Sequence, residues 1–239
     1  MSNFPFQRLQ IDLAALIERT PAGQRLPSEP SLAEQLGVSR ATLREAMRMF
    51  ETQGLIRRRQ GSGTYVVGKV QALDSGLEIL ESLETMAKRT GLEISVSNLS
   101  IEQLAADEDA AANLNLAAGA PVLCVRRVIR TDGRAVAYLV DTLPADFLRL
   151  ADLPIEFHGS VLDLLLERGD ALQNTSRANI SAIGATAEVA KALEIQRGDV
   201  LLHFSSQLFG EHGKVVDYSL SYFIPGYFRF HIVRHVGGN

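Results

Sequence analysis

Arg40, Arg44 and Arg48 recur at every fourth position, with Thr42 between the first two. On a helix, residues four apart are surface neighbours, so the three guanidinium groups share one side. A guanidinium fork matches the O6 and N7 acceptors of guanine in a DNA major groove, and its charge also suits phosphate. A second concentration follows. Leu55 to Arg59 ends in three consecutive arginines, Gln60, Gly61, Ser62 and Gly63 make a tight turn, and Thr64 to Val67 reads as a returning strand. Its glycine-rich tip allows close backbone approach, and the arginines provide a phosphate-binding edge. An arginine triplet on an isolated helix is simply a solvated face, so the surrounding elements decide its meaning.

Three helices are expected around it. Phe6, Leu9, Leu13, Leu16 and Ile17 fall at helical spacing, and Pro21 with Gly23 closes that pattern. Ser28 can cap a second, short helix whose first turn tolerates Pro30 and which Gly37 ends. Ser39 caps the third, Leu43, Ala46, Met47 and Phe50 form its core stripe, and Gly54 supplies the stop. A short helix, a tight turn and a second helix make a helix-turn-helix, whose second helix can enter a major groove, with the following hairpin as a wing.

Leu-Pro-Ser-Glu at 26–29, Leu-Ala at 32–33, Gly-Val-Ser-Arg-Ala-Thr-Leu-Arg at 37–44 and the run at 54–66 together resemble the winged helix-turn-helix of GntR-family transcriptional regulators. The resemblance implies that Arg40, Thr42 and Arg44 read bases and phosphates, with Gln60 and Gly61 at the wing tip. Arg48, Arg59 and Ser62 complete the expected DNA-binding set. One departure stands out: Pro30 occupies a position where many members carry a DNA-contacting arginine.

Length and charge fit two modules. The 239 residues suggest one or two domains, and 46% apolar with 22% charged content is that of an ordinary globular protein. The net charge of −4 hides an asymmetry: residues 1–67 hold nine arginines against six acids, and the remainder holds fifteen basic against twenty-two acidic groups. A +3 module thus precedes a −7 one, and the overall acidity does not exclude DNA. The single cysteine, Cys124, permits no internal disulfide. Residues 1–20 are polar throughout, with no signal-peptide core, and no apolar run approaches a membrane span, so a cytoplasmic protein with no membrane partner is expected.

The expected domains are a winged helix-turn-helix over 1–67, a linker over 68–78 and a second domain over 79–239. Leu77, Leu80, Leu83 and Met86 suggest a short helix before Gly91. Beyond it the chain echoes itself. A helix end, Gly119, a strand, a turn at Asp132 and Gly133, another strand and Pro144 are repeated by a helix end, Gly198, a strand, a turn at 210–213, a strand and Pro225. The offsets are about 80 residues. Two similar halves sharing one antiparallel sheet, covered by helices at 107–116, 160–168 and 185–194, are therefore expected, giving an α+β fold. Leu116 with Gly119, Pro121 and Val122; Asp132-Gly133; Leu143-Pro144; Gly159 to Leu165; the segment 186–202; and Asp217-Tyr218 with Tyr222 and Phe230 are similar to the UTRA effector-binding domain of the HutC branch of GntR regulators. That resemblance implies a fold like chorismate lyase.

Strand parity puts Leu123, Val125, Arg127 and Ile129 on one face, so Arg127 projects from an apolar row and needs a partner. A bound anion would satisfy it, as would an internal ion pair, for example with Asp217. Ser206 interrupts the echoing row at the same offset. Arg126, Arg127, Ser160, Arg177, Asp217 and Tyr222 are the candidate effector-binding residues. Family members that bind phosphosugars often pair two strand arginines and carry a Glu before the Leu-Pro; Ile129 and Leu139 stand here, so that pattern is incomplete. His231 and His235 lie four apart, but no nearby Cys or carboxylate completes a metal site. Neither a metal, a cofactor nor catalytic turnover is called for. The expected protein is a homodimeric repressor, released from a pseudo-palindromic double-stranded operator by a small polar or anionic metabolite. The alternative is a lyase-like enzyme carrying a DNA-binding domain.

Overall fold

The computed structural model describes residues 4–59, 62–67, 73–169 and 172–234. The chain divides into two units, 1–72 with 226–228, and 73–225 with 229–239.

In the first unit, α1 (Phe4–Arg19), α2 (Glu29–Gln35) and α3 (Arg40–Thr52) precede a hairpin of β1 (Ile56–Arg59) and β2 (Gly63–Val66). Leu9, Leu13 and Ile17 of α1 pack with Leu32 of α2, with Leu43, Ala46, Met47 and Phe50 of α3, and with Ile56 and Val66 of the hairpin. This is the stripe expected from spacing. Ser28 and Ser39 cap α2 and α3, accepting the N–H of Ser31 and Thr42. Between the two helices Gly37 takes φ +63°, the left-handed conformation that lets the chain reverse in so few residues. Arg59 pairs with Gly63 at the end of the hairpin; the expected tip residues Gln60 and Gly61 lie outside the described residues.

The second unit holds β3 (Leu73–Gly76), α4 (Leu83–Thr90), β4 (Ser95–Ala105), α5 (Glu108–Leu114), β5 (Pro121–Thr131), β6 (Arg134–Pro144), α6 (Val161–Glu167), β7 (Leu172–Gly184), α7 (Ala187–Leu193), β8 (Val200–Gly210), β9 (Val215–Phe223) and β10 (Phe228–His231). Six strands form one antiparallel sheet in the order β4-β5-β6-β9-β8-β7, and β3 pairs with β10. The three covering helices fall where spacing placed them. Two expectations need correction. Residues 73–76, read as linker, are β3. The helix before Gly91 starts at Leu83 rather than near Leu77, because Ser82 caps it by accepting the Thr85 N–H at 2.9 Å, and Ile79 and Leu80 stand exposed ahead of it.

The internal echo is exact for the helix and first strand of each half. Adding 79 to the bounds of α5 and β5 gives those of α7 and β8, and the left-handed caps Asn115 (φ 54°) and Glu194 (φ 57°) are related by the same step. The two halves interlock. Tyr138 of the first half donates to Glu188 of the second at 2.9 Å, and Tyr218 of the second donates to Asp109 of the first at 2.8 Å. Burial and these carboxylates raise both phenols, Tyr218 to about 12. α5 and α7 therefore cover the sheet face that carries the tyrosines. On the other face α6 packs through Val161, Leu164 and Leu165 against Leu123, Val125 and Leu208.

Candidate nucleic-acid interface and ligand cavity

In the first unit the apolar stripe of α3 faces inward, leaving Arg40 and Arg44 exposed and Thr42 and Arg48 half-buried. Ser39 and Thr42 hydroxyls lie 2.8 Å apart, fixing Thr42 in the first helical turn. Carboxylates orient the arginines: Arg44 Nε lies 2.6 Å from Glu29 Oε2, and Arg48 Nη2 lies 2.9 Å from Glu45 Oε1. Arg48 holds the Glu45 carboxyl below its ordinary value. Arg58 approaches Glu51 at 3.5 Å and Glu29 at 3.9 Å, and donates to the Arg44 carbonyl at 3.4 Å, so β1 and α3 share one charged surface. Ser62 and Tyr65 hydroxyls bond at 2.7 Å behind the hairpin tip. The Arg59 side chain lies outside the described part of the structure. Pro30 sits in the first turn of α2 beside Glu29, so an acid that steers Arg44 adjoins the departure from the family pattern.

Sequence reasoning missed Arg25. Its backbone pairs antiparallel with that of Tyr65, and its guanidinium lies against Gly63, where a side chain would collide with it. Its signal is long-range, since Arg25 and the hairpin are far apart in the chain. These groups can exchange carboxylates for phosphate oxygens and base edges, as paired surface arginines do at little cost.

In the second unit the sheet face opposite α5 and α7 closes over a cavity of about 560 Å3, within the usual range for small-molecule sites. Its floor comes from alternate residues of β6, β8 and β9, and its rim from residues 76–83 and β10. Arg127 is buried at its wall. Its Nη1 lies 2.5 Å from Asp141 Oδ2 and its Nε 3.2 Å from Glu84 Oε1, and the side chain is only 6% exposed. Arg127 therefore has internal partners, but they are Asp141 and Glu84 rather than Asp217. Gly159, at φ +101°, makes room for it: a Cβ there would meet Arg127 Cδ at 2.8 Å. Asp217 is also buried in the cavity wall. Its carboxyl accepts the Thr142 backbone N–H, while Oδ1 has no partner; burial, reinforced by Asp141, pushes it well above the ordinary carboxylate range.

Of the six effector candidates, the cavity brings together Arg127 and Asp217. Arg126 points to the other face, 3.0 Å from Glu102. Tyr222 is on that face too, its ring 5.9 Å from Tyr138 and 4.8 Å from His203. Both follow from strand alternation, since Arg126 adjoins Arg127, and Tyr222 is odd-spaced from Asp217. Arg177 is exposed on the edge strand β7, opposite Gln207. Ser160 caps α6 and donates to Asp163 at 2.9 Å, bordering a separate hollow. The reading missed Asp141, Ser219 and Ser221, although alternation from Asp217 marks the two serines. His231 bonds Asp74 at 2.9 Å, His235 lies outside the described residues, and no group of three metal-ligating side chains occurs among the described residues.

A winged helix-turn-helix joined to a sheet unit with a ligand-sized cavity defines a DNA-binding transcriptional regulator. Comparison with known proteins agrees. Residues 89–229 match the UTRA domain and residues 6–66 match the gntR family of bacterial regulatory proteins. The chain belongs to the gntR family, in the branch that carries a UTRA domain, and is a ligand-responsive regulator of transcription. It is 29% identical over 231 residues to HTH-type transcriptional regulator Rv0792c of Mycobacterium tuberculosis, covering 90% of this chain and 79% of that protein. The probable fructoselysine utilization operon transcriptional repressor of Escherichia coli is 28% identical over 220 residues, covering 89% of this chain and 86% of that protein. The crystal structure of PhnF from Mycobacterium smegmatis superposes with a TM-score of 0.63 at 26% identity, covering 96% of this chain and all of that one. These relatives are regulators and repressors, not lyases. No helix among the described residues is long and apolar enough to cross a membrane.

Proposed function

We propose that the protein is a homodimeric cytoplasmic repressor that leaves a pseudo-palindromic operator when a small polar metabolite fills the cavity of its second unit. Residues 1–67 read DNA and the sheet unit senses and dimerises, with no catalytic turnover. The observation that supports this most directly is the pairing of an exposed arginine edge on α3 with a separate, ligand-sized cavity. Two α3 helices in a dimer would occupy major-groove faces roughly one turn, about 10 bp, apart. Arg40, Thr42 and Arg44 are the proposed base readers, with Arg48, Arg59, Gln60, Gly61 and Ser62 positioning the backbone.

Differential affinity of the ligand for the released arrangement supplies the switch, a coupling of about 1–3 kcal/mol in typical cases. Operator selection from random duplexes followed by mobility-shift titration tests the reading. Arg44→Ala is expected to weaken the selected site by about 1–3 kcal/mol and relax the preference at one base pair in each half-site. Unchanged affinity and preference would remove α3 as the reading helix.

A further inference from the structure

The sites in the cavity that would attract an anion are already filled by the protein's own carboxylates. Arg127 is held by Asp141 and Glu84. At the start of α4, Asp163 accepts from Ser82 Oγ at 2.7 Å and from Thr85 Oγ1 at 3.3 Å, placing a negative charge where the helix end would favour one. At the rim Glu81 is paired with Arg89 at 2.8 Å, and Glu78 accepts a backbone N–H from Val233. The charged residues lining the cavity are Arg127 and the carboxyl-bearing Glu78, Glu81, Asp141 and Asp217. What the wall offers a ligand is therefore carboxyl groups rather than a free cation.

It is also specific about where. Asp217 is buried, lines the cavity and has an oxygen without a partner, whereas a buried carboxyl group is ordinarily satisfied on both oxygens. The floor beside it is hydroxylic. Asp141 pairs across the sheet with Ser219, which pairs with Ser206, and Ser221 is the next residue on the same face of β9. Beyond Ser221 the edges of Phe204, Phe223 and Phe230 meet, with ring centroids 4.9–5.3 Å apart. One end is thus acidic, the middle donates and accepts hydrogen bonds, and the far end is aromatic.

We propose that the effector is a small organic cation whose protonated amine seats on Asp217, with its hydroxyl-bearing or aliphatic body along the serine row toward the phenylalanines. This rests on the ligand-responsive reading above and narrows its small polar metabolite to a positively charged one. Arg127 is then a structural member of the wall, not the contact for a ligand anion. Burial and Asp141 hold the empty site's Asp217 carboxyl toward its neutral form, and an arriving ammonium would favour the ionised one.

The test uses the full chain and matched probes: glucosamine, glucose and glucose 6-phosphate; and putrescine, butane-1,4-diol and succinate. Binding is measured by titration calorimetry and operator affinity by mobility shift, on the wild type and on Asp217→Asn. The amine of at least one set is expected to bind at least about tenfold more tightly than its alcohol and anion, and Asp217→Asn to remove that advantage. The wild-type comparison within each set stands even if the variant does not fold. Preference for an anion, amine binding that Asp217→Asn leaves intact, or binding by neither amine overturns the proposal without touching the ligand-responsive reading. A bound amine that leaves operator affinity unchanged overturns the effector role while the ligand class holds.

Discussion

Arg127 is buried in the cavity wall with two ion pairs, and replacing it by Met tests what it does there. Its two ion pairs, at 2.5 and 3.2 Å, lie where the partner side chains Asp141 and Glu84 are 12% and 17% exposed. At an effective dielectric constant of about 20, each contributes a gross attraction of about 5–7 kcal/mol, much of it offset by desolvation. Met fills most of the volume but leaves two buried carboxylates beside a third, Asp217. Breaking a buried pair from one side typically costs about 3–5 kcal/mol, or roughly 6–20 °C in melting temperature for a unit of this size. Combining Arg127→Met with Asp141→Asn and Glu84→Gln removes the arginine together with both carboxylates that pair with it, and should recover at least about half of that loss. The chain has no tryptophan and five tyrosines, of which Tyr138, Tyr218 and Tyr222 lie in the second unit, so urea unfolding can be followed by near-ultraviolet tyrosine dichroism. A cost below about 1 kcal/mol for Arg127→Met, or no recovery in the triple variant, would refute the view that the arginine compensates its own wall.

Gly159→Ala should destabilise the same unit by about 1–3 kcal/mol in that assay, through its left-handed backbone and the clash with Arg127 Cδ; a neutral substitution would contradict the packing. Asp217 titrates higher in the folded state than unfolded, so its stabilising contribution is present below the unfolded value and lost as pH rises through the folded one. Asp217→Asn lacks that loss, and its stability relative to the wild type should rise between pH 4.5 and 7.5; a constant or opposite difference would count against the burial account. Ser39→Ala removes the cap of α3 and should cost about 1 kcal/mol of first-unit stability in thermal unfolding, with weaker operator binding if helix order limits reading.

The sequence is most informative where burial imposes a period. The stripes of α1 and α3, and the central strands β5, β6 and β8, are legible because one face of each is apolar, and the echo fixes their relation. The edge strands β4 and β7 escape that logic. Ser95 to Ala105 and Thr175 to Gly184 carry Ser, Asn, Gln and Arg on a solvated edge, and a bulge between Ser97 and Ser100 breaks the alternation of β4. Leu77 and Leu80 mislead in the opposite way: apolar at helical spacing with Leu83 and Met86, yet outside the helix, in the bent segment at the rim of the cavity. For the site, alternation places Arg127 correctly on the inner face and would also have set aside Arg126 and Tyr222. It cannot reveal that Glu84 and Asp141, 43 and 14 residues away, come to neutralise that arginine.

The 79-residue duplication bears on how any ligand lies in the cavity. A floor made of two like halves, meeting where β6 runs beside β9, would accept a molecule equally well in either of two orientations related by half a turn. Position 127 of the first half corresponds to position 206 of the second, and there Arg stands opposite Ser. That inequality, with the carboxylates Arg127 gathers and Asp217 beside them, gives the floor a head and a tail, so a ligand with unlike ends has only one way to lie.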